Sequence, residues 1–227
     1  MLVQPFRQSP RAAKRPFVIR LLLPPNLLSA RARIVAVLCL SLVLTACRSS
    51  NAILDQLDAE RDQLPFVTVC ANLSSLDMVD ARVGVDSTEI SLPRLVYTPG
   101  DIRSAQPPIL PEREAEIRAM VGERFRADGP AHTVIVRVVE GQQEFYGGWK
   151  SARQTVRWAI EVEIESPSYV TSARGSREVL RESATSARDF LRKATSAALL
   201  LAAEATLNDA LGQMPADETD CSSGGDV

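Results

Sequence analysis

The sequence is poor in the residues that enzymes most often use for acid–base, nucleophilic and metal chemistry. It contains a single histidine, His132, and none of the GxSxG, HExxH or P-loop patterns of hydrolases, zinc proteases and nucleotide-binding proteins. Its four cysteines form no CxxC pair and no cysteine–histidine set, so a zinc site and a thioredoxin-like site have no support. His132 follows Gly129-Pro130 and is expected to be an ordinary residue at a strand start. We expect no enzymatic activity, no cofactor and no metal centre.

The chain also lacks an apolar run of about 20 residues, the length that spans a bilayer. The run 34–44 is shorter and follows Arg31 and Arg33. A basic region, a short apolar run and small residues before a cleavage site define a secretory signal peptide. The run ends in Leu44-Thr45-Ala46-Cys47, which resembles the lipobox of bacterial lipoproteins. The alternatives are an ordinary signal peptide with a chance cysteine, and a short membrane anchor.

The lipobox resemblance implies an address and a modification. In that family the cysteine thiol is acylated and the chain is cut before it. Residues 1–46 are then a signal peptide with an extended basic N-terminal region, Cys47 is the lipid-attachment site, and 47–64 form the anchor with a stalk or short helix. Residue 48 is Arg, not the Asp that typically retains such proteins in the inner membrane. The resemblance favours the outer membrane, facing the periplasm, with the inner membrane or the cell surface as alternatives.

Acidic residues are absent before Cys47, and this divides the charge of the chain. Seven of the 26 basic residues precede Cys47, which leaves 19 against all 28 acidic residues, a formal charge of −9. Nucleic-acid binding needs a basic surface that can meet phosphates. We therefore expect no nucleic-acid partner for the mature chain.

Two cysteines remain if Cys39 leaves with the signal peptide and Cys47 carries lipid. These are Cys70 and Cys221, and outside the cytoplasm such a pair can form a stable disulfide. A bridge that closes so long a loop would stabilise the fold by about 4–5 kcal/mol in the chain-entropy model. Two free or buried thiols are the alternative, because Cys70 lies in an apolar run.

The mature chain has the length of one domain, predicted at 65–212, with a disordered tail at 213–227. The predicted strands are 65–72, 81–92, 133–140, 155–165 and 169–180, the last with Gly175 as a bulge. A proline-rich loop is predicted at 98–111, and helices follow at about 111–125 and 186–211. This order predicts an α+β fold, a mainly antiparallel sheet of about four strands with two helices packed on one face.

The predicted order of elements behind a lipobox resembles the small α/β lipoproteins of the Gram-negative envelope. Among these are the lipopolysaccharide-assembly lipoproteins and the auxiliary lipoproteins of ABC-type lipid transporters. The resemblance covers about 110–212 and is one of topology, so it implies a fold and does not transfer an activity.

The best candidate for a contact surface is a predicted hairpin end at 145–154. It gathers Phe145, Tyr146 and Trp149 beside Lys150 and Arg153. Aromatic residues and arginine dominate protein contacts, and cations can meet lipid phosphates. The alternative is that the aromatic rings cap the edge of the core while the cations are merely solvated.

These features predict a lipid-anchored accessory or assembly factor that binds another envelope component, a protein or a lipid, with lipid or lipopolysaccharide transport machinery as one candidate. The membrane itself is reached through the acyl anchor at Cys47. The alternative function is a small-ligand or lipid-binding module of the periplasm. It would need an apolar pocket between the helices and the sheet. The alanine-rich helix at 187–205 favours a filled core over such a pocket.

Overall fold

The computed structural model describes residues 51–85, 88–90, 98–126, 129–183 and 188–219. These residues form an α+β fold, as predicted, in which helices pack on a five-stranded mixed sheet. The elements in chain order are helix α1 (51–62), strands β1 (Asn72–Asp80) and β2 (Ile102–Ala105), helix α2 (Pro111–Gly122), strands β3 (Ala131–Gly147), β4 (Ala152–Glu165) and β5 (Val170–Ser183), and helices α3 (Arg188–Leu211) and α4 (Ala216–Thr219).

The sheet has the strand order β1-β3-β4-β5, and β2 pairs with β3 as well. Strand β1 runs parallel to β3 along 131–138, whereas β2 runs antiparallel to β3 along 143–146. The β3–β4 and β4–β5 pairs are antiparallel. The predicted mainly antiparallel sheet is therefore confirmed. The parallel pair is β1 with β3. Parallel strands need a long crossover connection, and here the connection contains β2 and helix α2.

One face of the sheet is buried under the helices and the other faces solvent. The inward residues of β4 are buried, and those between them are mostly more exposed. The large apolar side chains of the inward face are Val156, Trp158, Ile160, Val162 and Ile164. Helix α3 packs against β4 and β5, and α2 contacts both α3 and β1. The core thus lies between a sheet with one apolar face and two neighbouring helices.

A bulge in β3 keeps its buried side chains on one face. Residue 139 has no partner, since Val138 pairs with Ile160 and Glu140 with Ala159. Before the bulge the even-numbered residues are buried, and beyond it the odd-numbered residues are. Side chains alternate between the two faces of a strand, so one extra residue shifts the buried positions from even to odd numbers and keeps them on the same face.

The prediction of a bulge at Gly175 is wrong. Gly175 pairs in regular register with Ile160. A glycine is needed at this position for packing, because a Cβ there would lie 2.3 Å from Oγ1 of Thr206 in α3. That hydroxyl is buried and donates a 2.6 Å hydrogen bond to the carbonyl of Ala202. Gly175 is therefore the point of close approach between β5 and α3.

Gly175→Ala is expected to lower the free energy of unfolding by about 1–3 kcal/mol, since the added methyl group overpacks a fixed contact. Chemical denaturation measures this change. Gly122→Ala is the matched control, because a Cβ at that helical position meets nothing within 4 Å. It should be neutral or stabilising by up to about 1 kcal/mol. Equal unfolding midpoints for the two variants would contradict this account of Gly175.

The segment before α2 differs from the prediction. The strand predicted at 65–72 lies farther along the chain, at β1, while Val69 makes an isolated bridge to Phe125. An apolar run by itself does not separate a buried strand from another buried extended segment. The strand predicted at 81–92 is absent from its described residues, 81–85 and 88–90. Strand β2 lies within the segment 98–111, which was predicted to be a loop because it is rich in proline.

The ordered domain extends beyond the predicted end at 212. Met214 is buried in the core, and α4 follows it. The backbone N–H of Cys70 donates a 2.8 Å hydrogen bond to the carbonyl of Glu218. Residues 213–219 are thus part of the fold and not of a disordered tail, because their backbone and apolar groups have partners. The remainder of the predicted tail, 220–227, lies outside the described residues.

At the other end of the chain, the predicted stalk or short helix is helical from residue 51 to 62. The predicted signal peptide and Cys47 lie outside the described residues. None of the helices in the described part of the chain combines the length and apolar character needed to cross a membrane.

Candidate contact surface at the hairpin tip

The turn between β3 and β4 carries the aromatic residues that the sequence singled out. The Gly148 N–H closes the turn with a 2.9 Å hydrogen bond to the carbonyl of Ser151. At the apex, Trp149 is 90% exposed and Lys150 is exposed beside it. On the strands that flank the turn, Tyr146 is 50% exposed and Arg153 is exposed as well. Four of the five predicted contact residues therefore face solvent together.

The fifth predicted contact residue, Phe145, does not belong to this surface. It is 1% exposed and lies in the hydrophobic core. Phe145 and Tyr146 are neighbours in one strand, and successive side chains of a strand point to opposite faces. The alternative reading, in which an aromatic ring caps the edge of the core, is correct for Phe145.

Strand β2 adds a residue that the sequence did not reveal. Ile102 is 73% exposed and pairs with Tyr146, which in turn pairs with Arg153. The three side chains form one row across the solvent face of β2, β3 and β4. Together with the turn they make up the hairpin-tip surface, defined as Ile102, Tyr146, Trp149, Lys150 and Arg153.

Backbone hydrogen bonds lock β2 to the hairpin. The Gly147 N–H donates to the carbonyl of Asp101 at 2.7 Å, and the Gly100 N–H donates to the carbonyl of Gly147 at 2.6 Å. Nothing in the sequence singles out Ile102, which is one isoleucine in a proline-rich segment. Its position beside Tyr146 follows from the pairing of β2 with β3, which no local pattern predicts.

The charge of the tip is more balanced than the sequence suggested. Arg103 forms an ion pair with Asp101 at 2.8 Å, and the hydrogen bonds that the guanidinium donates to that carboxylate raise the pKa of Arg103. Arg153 lies opposite Glu182 in the register of β4 and β5, and the Glu182 carboxylate accepts a 2.8 Å hydrogen bond from Ser151. The tip is therefore a nearly neutral region of an acidic domain, and Lys150 is the cation at its apex.

Buried polar groups hold the base of the hairpin against α3. The Gln143 side chain donates to Oγ1 of Thr195 at 2.7 Å and accepts a 3.1 Å hydrogen bond from the N–H of Ile90. Arg181 is 2% exposed and donates to Oε1 of Gln154 at 2.7 Å. Its burial lowers the pKa of the guanidinium. Satisfied buried polar groups fix side chains more tightly than apolar contacts alone, so the hairpin is rigid at its base.

Comparison with known proteins found no match from which a role for this surface could be inferred. The chain matches no protein-family model, no curated protein and no solved structure. The resemblance to envelope lipoproteins therefore stays a prediction from the lipobox and from the order of elements. What the tip can do has to be argued from its own residues, their exposure and their position in the fold.

Cys70, one of the two predicted bridge cysteines, is disulfide-bonded. Its partner is one of the three other cysteines of the chain, all of which lie outside the described residues. Pairing with Cys221 stays a prediction. The hydrogen bond from Cys70 to Glu218 brings it beside the chain only three residues before Cys221. Three residues can span up to about 10 Å, and bonded cysteines have Cα atoms about 4.4–6.8 Å apart, so this pairing is within reach.

His132 is not the ordinary strand-start residue that the sequence predicted. It is fully buried, and its Nε2 atom lies 2.9 Å from the Tyr169 hydroxyl and 2.9 Å from the Glu218 carboxylate. The Tyr169 hydroxyl also donates to Glu218. Burial and the neighbouring carboxylate raise the pKa of Tyr169. This cluster ties α4 to the sheet, and the sequence showed no sign of it because its members are far apart in the chain.

Two carboxylates on the solvent face of β4, Glu161 and Glu163, and one on β5, Glu178, are paired with arginines. Arg137 lies 2.7 Å from Glu163 and 3.3 Å from Glu161, and Arg157 lies 2.6 Å from Glu178. The hydrogen bond from Arg137 lowers the pKa of Glu163. Within the described residues, no group of three or more histidine, cysteine or acidic side chains could hold a metal ion. This face is a ladder of ion pairs.

Proposed function

We propose that the chain is a lipid-anchored, non-enzymatic accessory protein of the bacterial envelope, which binds another envelope component through the hairpin-tip surface. The observation that carries the proposal is the 90% exposure of Trp149 on a turn, beside the exposed Tyr146 and Ile102. Large apolar side chains gathered on a solvent-exposed surface are typical of interaction sites. Tryptophan and tyrosine are also among the residues that contribute most to binding.

The rigidity of the hairpin supports the same proposal. Its base is fixed to α3 by the hydrogen bond from Gln143 to Thr195, and β2 is fixed to it by the backbone bonds at Gly147. A surface that is already ordered loses less conformational entropy when it binds. The tip is therefore suited to contact and needs no rearrangement.

The N-terminal sequence supports the envelope location. The lipobox Leu44-Thr45-Ala46-Cys47 favours acylation, and Arg48 favours the outer membrane with the domain facing the periplasm. An anchored domain of this size stays within a short distance of its membrane. Its partners are then other envelope components, with lipid or lipopolysaccharide transport machinery as a candidate.

The alternative, a periplasmic module that binds a small ligand or lipid, receives less support. Among the described residues, the space between α3 and the sheet where this alternative needs a pocket is packed: Trp158, Leu199 and Thr195 line a residual space of only ≈10 Å³. A larger groove of ≈870 Å³ lies among α1, α2 and α3. It is open, and about half of its lining side chains are charged, which does not suit an acyl chain. We therefore favour contact at the tip.

Trp149→Ala with Lys150→Ala is expected to weaken recovery of the bound component after crosslinking in intact cells. A central tryptophan often contributes at least 2 kcal/mol, which corresponds to about 30-fold in affinity. The matched control is Val170→Ala with Arg174→Ala, an exposed apolar and cationic pair on β5, where Val170 lies opposite Glu165 at the far end of β4. Unchanged recovery by a tip variant that unfolds at the wild-type temperature would refute contact of the tip with a protein component.

A further inference from the structure

We propose that the component met by the hairpin-tip surface is the lipid surface of the membrane that carries the Cys47 anchor. Trp149 and Tyr146 lie in the interfacial layer of that membrane, and Lys150 is level with the lipid phosphates. This inference deepens the proposed function and rests on the acylation of Cys47 that it includes. It assigns the domain two contacts with one bilayer, one covalent and one through the turn.

The first step is that α3 begins at the tip end of the sheet. The last residue of β5, Ser183, pairs with Ala152 directly beside the turn. Helix α3 starts five residues later, at Arg188, and the Arg181 guanidinium lies 5.7 Å from the Phe190 ring. The first turns of α3 therefore lie near the turn that carries Trp149.

The second step is that α1 runs in the same direction as α3. Arg61, near the end of α1, forms a 2.8 Å ion pair with Glu204, far along α3. Asn51, the first described residue, lines the same groove as Arg192 and Lys193 in the early turns of α3. The N-terminus of α1 thus points toward the tip end of the domain.

The third step compares how far Trp149 projects beyond Asn51 with the length of chain between Asn51 and Cys47. Strand β3 continues four residues beyond Gln143, which bonds to Thr195 of α3, and the turn carries Trp149 slightly farther, so Trp149 lies about 15 Å beyond that level. The ten residues of α1 from Arg61 back to Asn51 rise about 15 Å from the level of Glu204, so Asn51 lies near the level of Thr195 and the tip projects about 15 Å beyond it. Cys47 precedes Asn51 by four residues, which extend to at most about 14 Å. The lipid on Cys47 and the ring of Trp149 can therefore reach one plane.

The chemistry of the tip suits a lipid interface better than a protein partner. Tryptophan and tyrosine collect at membrane–water interfaces because one end of the side chain is apolar and the other is polar. A lysine at the apex can place its ammonium among the phosphates while its stem stays in the apolar layer. A stable protein interface uses about 20–30 residues a side, far more than the few side chains this narrow turn presents.

The two tryptophans of the chain allow a direct test. Trp149 is 90% exposed, whereas Trp158 is fully buried under α3 and serves as an internal reference. The full acylated chain is reconstituted into vesicles of phosphatidylethanolamine and phosphatidylglycerol that contain phosphatidylcholine brominated near the headgroup end of its acyl chains. Bromine quenches tryptophan at short range. We expect loss of the Trp149 emission, a blue shift of what remains, and protection of Trp149 from iodide in the water.

Trp149→Phe is the control variant, because it leaves only the buried Trp158 and should show no quenching by the brominated lipid. Quenching of the wild type by iodide but not by the brominated lipid would place the tip in water and overturn the inference. If the tip variant Trp149→Ala with Lys150→Ala then loses a crosslinked protein, the proposed function stands and only the lipid contact fails. If Cys47 carries no lipid, both fail, which mass analysis of the same preparation reveals.

Discussion

Glu204→Ala is expected to lower the free energy of unfolding by about 3–5 kcal/mol, the usual cost of leaving a buried charge without its partner. Glu204 binds two arginines, Arg124 and Arg61, each at 2.8 Å. Arg124 is 1% exposed, and its burial lowers the pKa of the guanidinium. Removal of the carboxylate leaves that cation in the interior and also cuts the tie between α1 and α3.

Chemical denaturation measures this loss, and two further variants show its cause. Glu116→Ala removes an exposed pair with Arg113 and should cost less than about 1 kcal/mol. Glu204→Leu with Arg124→Met replaces the buried pair by apolar side chains and should recover most of the loss, since such replacements are often neutral. A Glu204→Ala variant that is as stable as Glu116→Ala would show that Arg124 does not depend on its partner.

Cys47→Ser is expected to abolish fatty-acid labelling of the chain and the appearance of the processed form. The lipobox resemblance implies that acylation of the thiol precedes cleavage, and serine offers no thiol. Radiolabelled palmitate and the mobility of the chain on a gel measure the two effects. Cys39→Ser is the matched control, because this cysteine lies inside the apolar run and should be dispensable. Equal labelling of both variants would exclude Cys47 as the lipid site.

The core of the fold could be predicted where a local pattern carries the information. The strand predicted at 155–165 and the helix predicted at about 111–125 depend on patterns among neighbouring residues, and β4 and α2 confirm both. Strand β2 could not be found in this way. Its pairing with Tyr146 depends on register with a strand that follows 29 residues after Ile102, and no local feature of the sequence fixes that register.

The candidate site follows the same rule. Trp149 and Lys150 were predictable because a glycine pair marks the turn and turns lie at the surface. Phe145 was misplaced because the predicted strand ended too early, at 140, so its face was not defined. The cluster of His132 with Tyr169 and Glu218 joins three distant segments, and only the folded chain brings them together.

The position of α1 relates the proposed anchor to the tip. Arg61 and Glu204 hold the end of α1 beside α3, and Asn51 lines the same groove as Arg192 in the early turns of α3. This arrangement turns the N-terminus of α1 toward the hairpin, so a short linker suffices for the proposed contact of both with one membrane. Two or three acyl chains alone hold a protein on a bilayer stably, so the proposed second contact at the tip adds orientation to retention.

Mass spectrometry of the mature N-terminus, on the chain purified from bacterial membranes, tests the central claim most directly. The account predicts a first residue at Cys47 whose mass includes a diacylglyceryl group and an amide-linked acyl chain. A mature chain that begins at another residue, or an unmodified Cys47 inside a longer chain, would contradict it.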